Sequence, residues 1–302
     1  MRSFFLFLSR QKHLRKWMET SRWARRLSAR FVAGDELAEA LETCRRINSE
    51  NIAVTLDHLG ENVTSLAEAA SSRDAYLQAL AELVRLKING NVSLKLTQFG
   101  MDLSREECRA NVEALVRQAA AAGTFVRVDM ESSEYVDRTL ELVADLHARY
   151  KAAGTVIQSY LRRSRQDVEM LCARGIGVRL VKGAYLEPPT VAFHRKADVD
   201  RSFVELMNIL LSSGVYSAIA THDEKIIGET KRFAESRHIS RDSFEFQMLY
   251  GIRRDMQKRL VNEGYRVRLY VPYGRAWYPY FMRRLAERPA NVFFLARHLL
   301  RN

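Results

Sequence analysis

The stretch GVRLVK, residues 177–182, is a short run of aliphatic and β-branched residues that ends on a charged side chain. Seven other runs of this kind occur along the chain, and each is succeeded by a stretch with helical periodicity. Continuous apolar runs of about four to six residues are typical of strands buried on both faces, as in a parallel sheet covered by helices. The eight runs are Ile52–Asp57, Val92–Leu96, Phe125–Met130, Thr155–Ser159, Gly177–Lys182, Tyr216–Ala220, Phe244–Met248 and Val267–Val271.

Eight strand-and-helix units over about 250 residues predict a (β/α)8 TIM barrel rather than an open sheet. The 302 residues suffice for one barrel over residues 51–302, C-terminal helices included, preceded by an N-terminal helical arm over residues 1–50. In this fold the chemistry takes place at the carboxyl ends of the strands. The polar residues expected there are Asp57, Lys95, Asp129, Gln158, Lys182, Thr221, His222 and Tyr270.

The overall composition favours a globular protein with anionic partners. The three cysteines are far apart and form no C-x-x-C motif, so neither a disulfide framework nor a zinc site is predicted. A formal net charge of +12 favours a phosphate-bearing cofactor, nucleic acid or an acidic lipid surface. Because the basic residues are scattered over every helix and form no motif of the RNA or DNA modules, no nucleic-acid partner is predicted.

The cluster Phe4–Leu8 is the segment that bears on membrane contact. No stretch approaches the ~20 apolar residues of a membrane span. The cluster is too short for a signal peptide and lacks a small-residue cleavage site. An interfacial anchor and a packing helix both stay open as its role. We therefore expect a cytoplasmic protein, with peripheral contact to the inner face of the membrane as an open alternative.

Start and stop signals divide the stretches between the runs into helices. Ser104 and Glu107 form a capping box that starts a helix to Ala121, and Gly123 ends it. The next helices are predicted over Ser132–Ala152, ended by Gly154; over Arg165–Arg174, ended by Gly175; and from about Arg201 to Leu211 in the long fifth connection.

Two charged residues lie in apolar runs that should face the barrel interior. Lys95 lies within Val92–Leu96, where burial costs free energy unless the ammonium meets a carboxylate or an anionic ligand. The alternative is a strand-end lysine that reaches solvent. Asp129 lies near the end of Phe125–Met130 and shares a face with Arg127. We expect Asp129 to be the one that reaches the mouth.

The segment 177–185 is the densest in polar chemistry. Arg179 and Val181 share one face of the run, and Lys182 lies at its rim. A guanidinium within a buried strand needs an anion or an electron-rich ring, and a neighbouring carboxylate would serve as well as a ligand. Gly183 then allows the backbone to turn and to approach another group closely.

Thr221 and His222 follow the sixth run and precede a helix. Thr221 either belongs to the site or serves as the N-cap of that helix. His222 has no second His or Cys at ligand spacing, so no metal site is predicted.

The last predicted barrel helix contains Trp277–Glu287 and carries a pair of arginines. Tyr280 lies three and four residues before Arg283 and Arg284, so the three share one surface. Two adjacent guanidiniums form a good clamp for a carboxylate. Arginine pairs are also common on solvated helices, which is the alternative.

Together these segments resemble the proline dehydrogenase family, flavoenzymes that oxidise L-proline to Δ1-pyrroline-5-carboxylate. The resemblance covers about residues 55–295, and the length without an aldehyde-dehydrogenase module is similar to the monofunctional bacterial form. The motifs that carry it are Leu59–Glu61, Val92–Leu96, Arg127–Asp129, Val156–Gln158, Arg179–Tyr185, Ala220–His222, Glu245–Gly251, Tyr270–Gly274 and Tyr280–Glu287.

For the substrate, the resemblance implies a carboxylate clamp, an apolar wall and a gate. The implied substrate-binding residues are Lys95, Arg283 and Arg284 at the carboxylate, Tyr270 and Leu249 at the pyrrolidine ring, and Tyr280. Glu61 and Arg283 would form an ion-pair gate over bound proline.

For catalysis, the resemblance implies that hydride passes from proline C5 to flavin N5, so the protein mainly positions two rings. Asp129 and Arg179 are the implied catalytic residues. Asp129 would orient Tyr270 or Lys95, and Arg179 would lie at the flavin N5 edge. The residues implied to bind FAD are Met130, Gln158, Arg179, Val181, Lys182, Gly183, Ala184, Thr221 and His222.

The family also implies the first step of proline catabolism to glutamate, with electrons passed to a quinone. The residues alone leave two other classes open. One is a barrel enzyme that uses Lys95 or Lys182 as a Schiff-base amine, and the other is a non-enzymatic basic protein that binds anionic surfaces. FAD binding predicts a yellow protein, whereas the other two classes predict a colourless one.

Overall fold

Eight parallel strands form a closed barrel in the structure, a computed structural model that describes Met18, residues 29–60 and residues 62–287, with side chains up to residue 282. Each strand pairs with the next along the chain, and the eighth closes onto the first. The strands are β1 (Ala53–His58), β2 (Gly90–Leu94), β3 (Val126–Val128), β4 (Ala153–Gln158), β5 (Val178–Val181), β6 (Ser217–Ala220), β7 (Phe244–Leu249) and β8 (Arg266–Tyr273). The predicted (β/α)8 barrel is therefore confirmed.

Helices alternate with the strands. They are α1 (Leu37–Asn48), α2 (Leu66–Arg85), α3 (Arg105–Ala121), α4 (Val136–Tyr150), α5 (Ser164–Ala173), α6 (Lys196–Ser212), α7 (Glu224–Ser236), α8 (Arg254–Asn262) and α9 (Tyr278–Glu287), with 3-10 turns at Leu96–Phe99 and Ser133–Tyr135. Among the described helices, none is both long and apolar enough to cross a bilayer. Most of the predicted arm over residues 1–50 lies outside the described residues.

The start of α3 is confirmed, but the predicted end of the following helix is wrong. Ser104 accepts a hydrogen bond from the Glu107 backbone N–H at 3.2 Å, as a capping residue does. Helix α4 ends at Tyr150, followed by Lys151 in the left-handed conformation (φ 56°). Gly154 instead lies within β4, where a Cβ would lie 2.7 Å from both Arg127 Nη1 and the Gly177 carbonyl oxygen. This glycine is required because a backbone carbonyl and a guanidinium occupy the space beside it.

Helix α6 begins at Lys196, about five residues before the predicted start. The fully buried residues of this helix begin at Phe203, and in its first turn only Val199 packs against the core. Lys196 in the first turn pairs with Asp200 at i,i+4. A single partly buried valine among charged residues is a weak signal of where a helix starts.

The strands separate two different layers. Their outward residues, among them Val92, Leu94, Val128 and Leu180, are fully buried against the helices in one apolar core. Their inward residues are mostly polar. The register pairs Arg179 with Ala218 and Ala218 with Glu245, so these three point to the same side of the sheet.

Candidate active site

The inner face of the barrel carries polar residues at every second position of several strands. They are Thr55 and Asp57 on β1, Asn91 and Ser93 on β2, Arg127 on β3 with Asp129 just beyond it, Arg179 on β5, Glu245 and Gln247 on β7, and Arg268 and Tyr270 on β8. Such a set is costly to bury unless its members satisfy one another or a ligand. Most of them do so through specific hydrogen bonds.

Asp129 is the acceptor at the centre of the mouth. Its Oδ1 accepts hydrogen bonds from Ser93 Oγ at 2.5 Å and from Arg179 Nη1 at 2.8 Å. Its Oδ2 accepts a hydrogen bond from the Tyr270 hydroxyl at 2.9 Å. Burial, followed by the negative charges of Asp129 and Asp57, raises the pKa of Tyr270 well above its ordinary value. Tyr270 therefore keeps its proton and acts as a donor. The structure brings Asp129 and Tyr270 together as predicted.

The Arg179 guanidinium is buried beside Asp129, so the carboxylate alternative for this residue is the one observed. The Arg179 Nε donates to Gln247 Oε1 at 2.5 Å, and the central guanidinium carbon, Cζ, lies 5.2 Å from the centre of the Tyr270 ring. Among the described residues, no partner accepts a hydrogen bond from its buried Nη2. One end of the guanidinium is thus held by protein, and the other end keeps two unused donors.

A second polar layer lies below this one. Glu245 accepts from Arg268 Nε, at 2.8 Å to Oε1 and 3.0 Å to Oε2, and from Gln247 Nε2 at 2.5 Å. Burial opposes ionisation of Glu245, but the Arg268 guanidinium and the hydrogen bonds outweigh it, and the pKa is lowered from its ordinary value. Arg268 Nη1 also donates to Asn91 Oδ1 at 3.1 Å. The layer therefore contains an ionised carboxylate tied to the mouth through Gln247.

Lys95 lies just after β2, not within a strand as predicted. Strand β2 ends at Leu94, and the apolar run continues because Leu96 is buried in the 3-10 turn that follows. The Lys95 side chain is only 11% exposed, and its Nζ lies 3.6 Å from Asp57 Oδ1. The alternative in which this lysine reaches solvent is therefore wrong. Tyr76 from α2 lies within hydrogen-bond distance of the same Oδ1, at 3.1 Å.

Lys182, just after β5, binds two carboxylates. Its Nζ donates to Asp200 Oδ1 at 2.6 Å and to Asp223 Oδ2 at 3.0 Å. Because a Schiff-base amine needs its lone pair free, this arrangement disfavours Lys182 as a covalent nucleophile. Gly183 has φ +113°, and a Cβ there would overlap the Tyr160 ring. The close approach expected at this glycine is therefore made to Tyr160.

Thr221 is not the N-cap of α7, contrary to that alternative. Asp223 takes this position, and its carboxylate accepts from the Lys225 backbone N–H at 3.1 Å. Thr221 Oγ1 accepts from the Asp223 backbone N–H at 3.0 Å. His222 Nε2 accepts from the Leu249 backbone N–H at 3.0 Å. Since a backbone N–H only donates, the proton of a neutral His222 ring lies on Nδ1.

The other residues implied to bind cofactor lie on the same side of the mouth. Gln158 ends β4 and donates from Nε2 to the Glu131 carbonyl at 2.9 Å. Met130 is buried, whereas Val181 and Ala184 are half-buried. These side chains end or follow β3, β4 and β5, so the carboxyl ends of three consecutive strands contribute to one surface.

The residues implied to contact the pyrrolidine ring share an apolar cluster, separate from the main core. It contains Phe31, Val32, Leu59, Ile252, Trp277, Tyr278, Tyr280, Phe281 and Met282, with Leu249 and Tyr270 packed against it. The cluster joins the ends of β7 and β8 to α9. Leu249, Tyr270 and Tyr280 are thus brought together. The other predicted substrate residues lie outside what is described: Glu61 in full, and Arg283 and Arg284 in their side chains.

Sequence reasoning did not select Ser93, Tyr76 or Gln247 for the site, and it placed Asp57 at the mouth without a role. A signal for three of them exists, because Asp57, Ser93 and Gln247 each lie two residues from another polar residue in a strand expected to be apolar on both faces. That alternation indicates a polar inner face. Tyr76 comes from a helix, and nothing in the strand pattern indicates it.

Comparisons with known proteins agree on one family. A family model described as Proline dehydrogenase matches residues 40–297. Proline dehydrogenase 2 of Bacillus subtilis is 41% identical over 294 residues, 97% of this chain and 96% of that protein. Proline dehydrogenase of Deinococcus radiodurans is 43% identical over 280 residues, 91% of this chain and 90% of that protein.

A solved structure is similar over most of the barrel. It is proline utilization A (PutA) from Bdellovibrio bacteriovorus inactivated by N-propargylglycine, with a TM-score of 0.80 and 27% identity. The match covers 87% of this chain and 32% of that one. This chain therefore spans about a third of the length of PutA.

Proposed function

Because this chain belongs to the proline dehydrogenase family, we propose that it uses bound FAD to oxidise L-proline to Δ1-pyrroline-5-carboxylate. The family membership confirms the resemblance read from the sequence, and it makes the protein an oxidoreductase with proline dehydrogenase activity. The cofactor, the residue roles and the electron acceptor are the proposal. The observation that supports it best is the fixed guanidinium of Arg179, with Nη2 unused.

The residues at the mouth fit a flavin. A buried donor without an acceptor costs about 1–3 kcal/mol, so Nη2 of Arg179 calls for an acceptor from a ligand. The heteroatom edge of the flavin ring supplies acceptors in one plane, which suits a planar guanidinium. The other proposed contacts are with the side chains and backbone that end or follow β3 to β6. They are Met130, Gln158, Val181, Lys182, Gly183, Ala184, Thr221 and His222.

The opposite side of the mouth suits a small amino acid with an apolar ring. Lys95 offers an ammonium for the carboxylate, and Asp57 stabilises that ammonium in its buried position. Leu249 and Tyr270 supply apolar surface for the ring. The resemblance adds Arg283 and Arg284 to the proposed carboxylate clamp, Tyr280 to the proposed substrate contacts, and a gate formed by Glu61 with Arg283.

FAD, when bound, accepts the hydride that leaves proline C5. The chain then has no bond to make or break through a nucleophile of its own, so its work is to hold the substrate and to place charge. Asp129 fixes both the Tyr270 hydroxyl and the Arg179 guanidinium. Because three donors converge on one carboxylate, moving any of them disturbs the others.

We propose a quinone at the membrane as the electron acceptor, in the first step of proline catabolism to glutamate. Residues 1–28 contain eight Lys or Arg and one Glu, and residues 288–302 contain three Arg and no acidic residue. Each basic residue near an anionic leaflet contributes about 1 kcal/mol. Peripheral docking at the inner face of the membrane should appear as cosedimentation with anionic vesicles that weakens with salt and with deletion of residues 1–12. Equal, negligible vesicle binding by the full-length protein and by the protein lacking residues 1–12 would contradict peripheral docking.

The absorption spectrum of the purified full-length protein tests the cofactor. We expect a flavin spectrum in the visible range that bleaches when L-proline is added without oxygen. A colourless protein trapped by borohydride and a carbonyl substrate would instead indicate Schiff-base chemistry at Lys95.

Arg284→Met tests the clamp. Losing a charge-assisted contact with a buried carboxylate costs about 2–5 kcal/mol, so KM for proline should rise about thirtyfold or more while FAD stays bound. Arg237→Met is the control, since Arg237 is exposed at the end of α7 away from the mouth, and its KM should equal that of the wild type. An unchanged KM in R284M would remove Arg284 from the substrate site.

A further inference from the structure

Arg179 reaches across the barrel to a residue two strands away. The strand between them, β6, contributes Ala218 and Ala220 to the same face, since Ala218 pairs with Arg179 and Ala220 pairs with Gln247. Alanine ends at Cβ and leaves the interior beside it open. The guanidinium can therefore pass over β6 and donate from Nε to Gln247 Oε1 on β7 at 2.5 Å.

The amide of Gln247 has only one orientation that satisfies both of its neighbours. A guanidinium only donates hydrogen bonds and an ionised carboxylate only accepts them. The amide oxygen must therefore face Arg179, and the NH₂ must face Glu245 Oε1, at 2.5 Å. If the amide were reversed, two donors would meet at one end and two acceptors at the other.

Glu245 is itself held in place, so it is a fixed reference for this orientation. It pairs with Arg268 on β8, and its Oε2 accepts from the Tyr216 hydroxyl at 3.0 Å. Both Glu245 and Gln247 are buried. The sequence of contacts runs from the lower ion pair through one amide to the guanidinium at the mouth.

We propose that Gln247 is a positioning residue for Arg179. By accepting from Nε, it sets the rotation of the guanidinium so that Nη1 meets Asp129 and Nη2 remains the donor for the cofactor. The inference rests on the proposed function for the cofactor only. The hydrogen bond between Gln247 and Arg179 and the orientation imposed by Glu245 belong to the protein alone. Gln247 therefore acts through Arg179, without touching the reacting atoms.

Gln247→Met separates this role from space filling, because methionine has a similar length and volume but cannot accept from Nε. We expect kcat to fall about tenfold and KM for proline to change less than twofold, since Gln247 does not contact the proposed carboxylate clamp. We also expect reduced flavin to be stabilised about tenfold less, which lowers the two-electron midpoint potential by about 30 mV. Spectroelectrochemistry of the flavin-loaded protein measures this shift.

Thr230→Val is the matched control. Thr230 is also buried, and its hydroxyl donates to the Ile226 carbonyl at 2.8 Å, but it lies on α7 outside the barrel. T230V thus loses one buried hydrogen bond without touching Arg179. Its midpoint potential and kcat should equal those of the wild type. A potential in Q247M equal to the wild-type value would overturn the proposal while leaving the reaction intact.

A measurement that needs no cofactor keeps this inference separate from the proposed function. In protein labelled with [15N]arginine, the Arg179 Nε–H signal is identified by its loss in R179K. We expect this proton to be protected from exchange with solvent in the wild type and in T230V. In Q247M its protection factor should be at least tenfold lower. Equal protection in Q247M would overturn the positioning role even if the chain bound no flavin.

Gln247→Glu is the second variant, should Q247M fail to fold. It retains an acceptor for Nε–H, loses the amide donor to Glu245 and brings a second carboxyl group next to that residue. We expect the protected Arg179 Nε–H signal to persist in Q247E. Its disappearance would show that the acceptor at residue 247 does not hold the guanidinium, which would overturn the proposal.

Discussion

Arg179 and Leu180 are neighbours on β5, yet they belong to two regions of opposite chemistry. Leu180 points outward and is fully buried among aliphatic side chains of the surrounding helices. Arg179 points inward to a carboxylate, an amide and an aromatic ring. The outer layer gains stability from apolar burial, which is tolerant of geometry. The inner layer depends on hydrogen bonds, which fail when a partner moves.

The polar residues of the inner layer cost free energy on burial and do not stabilise the fold as the outer layer does. Burial, and then the neighbouring Arg179 guanidinium, lower the pKa of Arg127 to about 9. Within the described part of the chain, Arg127 Nε and Asp57 Oδ2 are buried without hydrogen-bond partners. A barrel interior filled with Val, Ile and Leu would avoid such penalties. The outer layer therefore carries the fold, and the inner layer trades stability for a charged site.

Asp129→Ala should have the largest effect on this comparison. It removes the acceptor shared by Ser93, Arg179 and Tyr270. We expect kcat to fall about a thousandfold, since both the Arg179 guanidinium and the Tyr270 hydroxyl lose the group that positions them. Val128→Ala, on the outward side of β3 directly before Asp129, is the control and should keep kcat. Turnover near the wild-type value in D129A would make Asp129 a strand-end residue without a role in the reaction.

The neighbours on β5 sharpen the comparison within one strand. Leu180→Ala should lower the free energy of unfolding by about 3 kcal/mol, because it leaves a cavity in the outer core, while kcat stays unchanged. Arg179→Met should lower kcat about a hundredfold, because it removes the donor proposed for the flavin. Urea unfolding and steady-state kinetics of both variants measure the split. If L180A lost kcat as strongly as R179M, the two faces would not be independent.

The outer layer is what made the fold predictable from the sequence. The eight apolar runs indicate burial against helices, and all eight correspond to strands. The same signal misplaced Lys95, because Leu96 is buried in a turn and extends the run without extending the strand. It also missed the role of Gly154, because the space beside it is taken by the Arg127 guanidinium and the Gly177 carbonyl, whose positions depend on the register of the neighbouring strands.

The inner layer was predictable only in part. Polar residues at strand ends placed Asp129 and Tyr270 at the same mouth, since both lie at the same edge of a parallel sheet, whereas the contact of Asp129 with Tyr270 or Lys95 was implied by the resemblance. Partners across the barrel were out of reach, because the contact between Arg179 and Gln247 spans two strands and depends on the alanines between them. The roles of Glu61, Arg283 and Arg284 stay predictions from the resemblance.

Glu245→Gln gives the smallest effect and tests whether the lower layer is ionised. Burial raises the pKa of Glu245, but the Arg268 charge and its hydrogen bonds lower it by more, so the folded pKa lies below the ordinary value of 4.5. A carboxylate whose folded pKa is lowered contributes stability above the unfolded pKa, and this stability is lost as the pH falls through the folded pKa.

At pH 7 we expect the free energy of unfolding of E245Q to be about 2 kcal/mol lower than that of the wild type, because Arg268 loses its counter-charge. This difference in the free energy of unfolding between the wild type and E245Q should narrow as the pH falls below about 4.5. Urea unfolding at a series of pH values measures it. Glu224→Gln, in an exposed ion pair with Arg259 on the protein surface, is the control and should show a much smaller difference at every pH. A difference for E245Q that stays constant from pH 7 to acid would mean that the folded pKa of Glu245 is not lowered, and wild-type stability that rises relative to E245Q in acid would mean that Glu245 is buried as the neutral acid, with no ion pair in the lower layer.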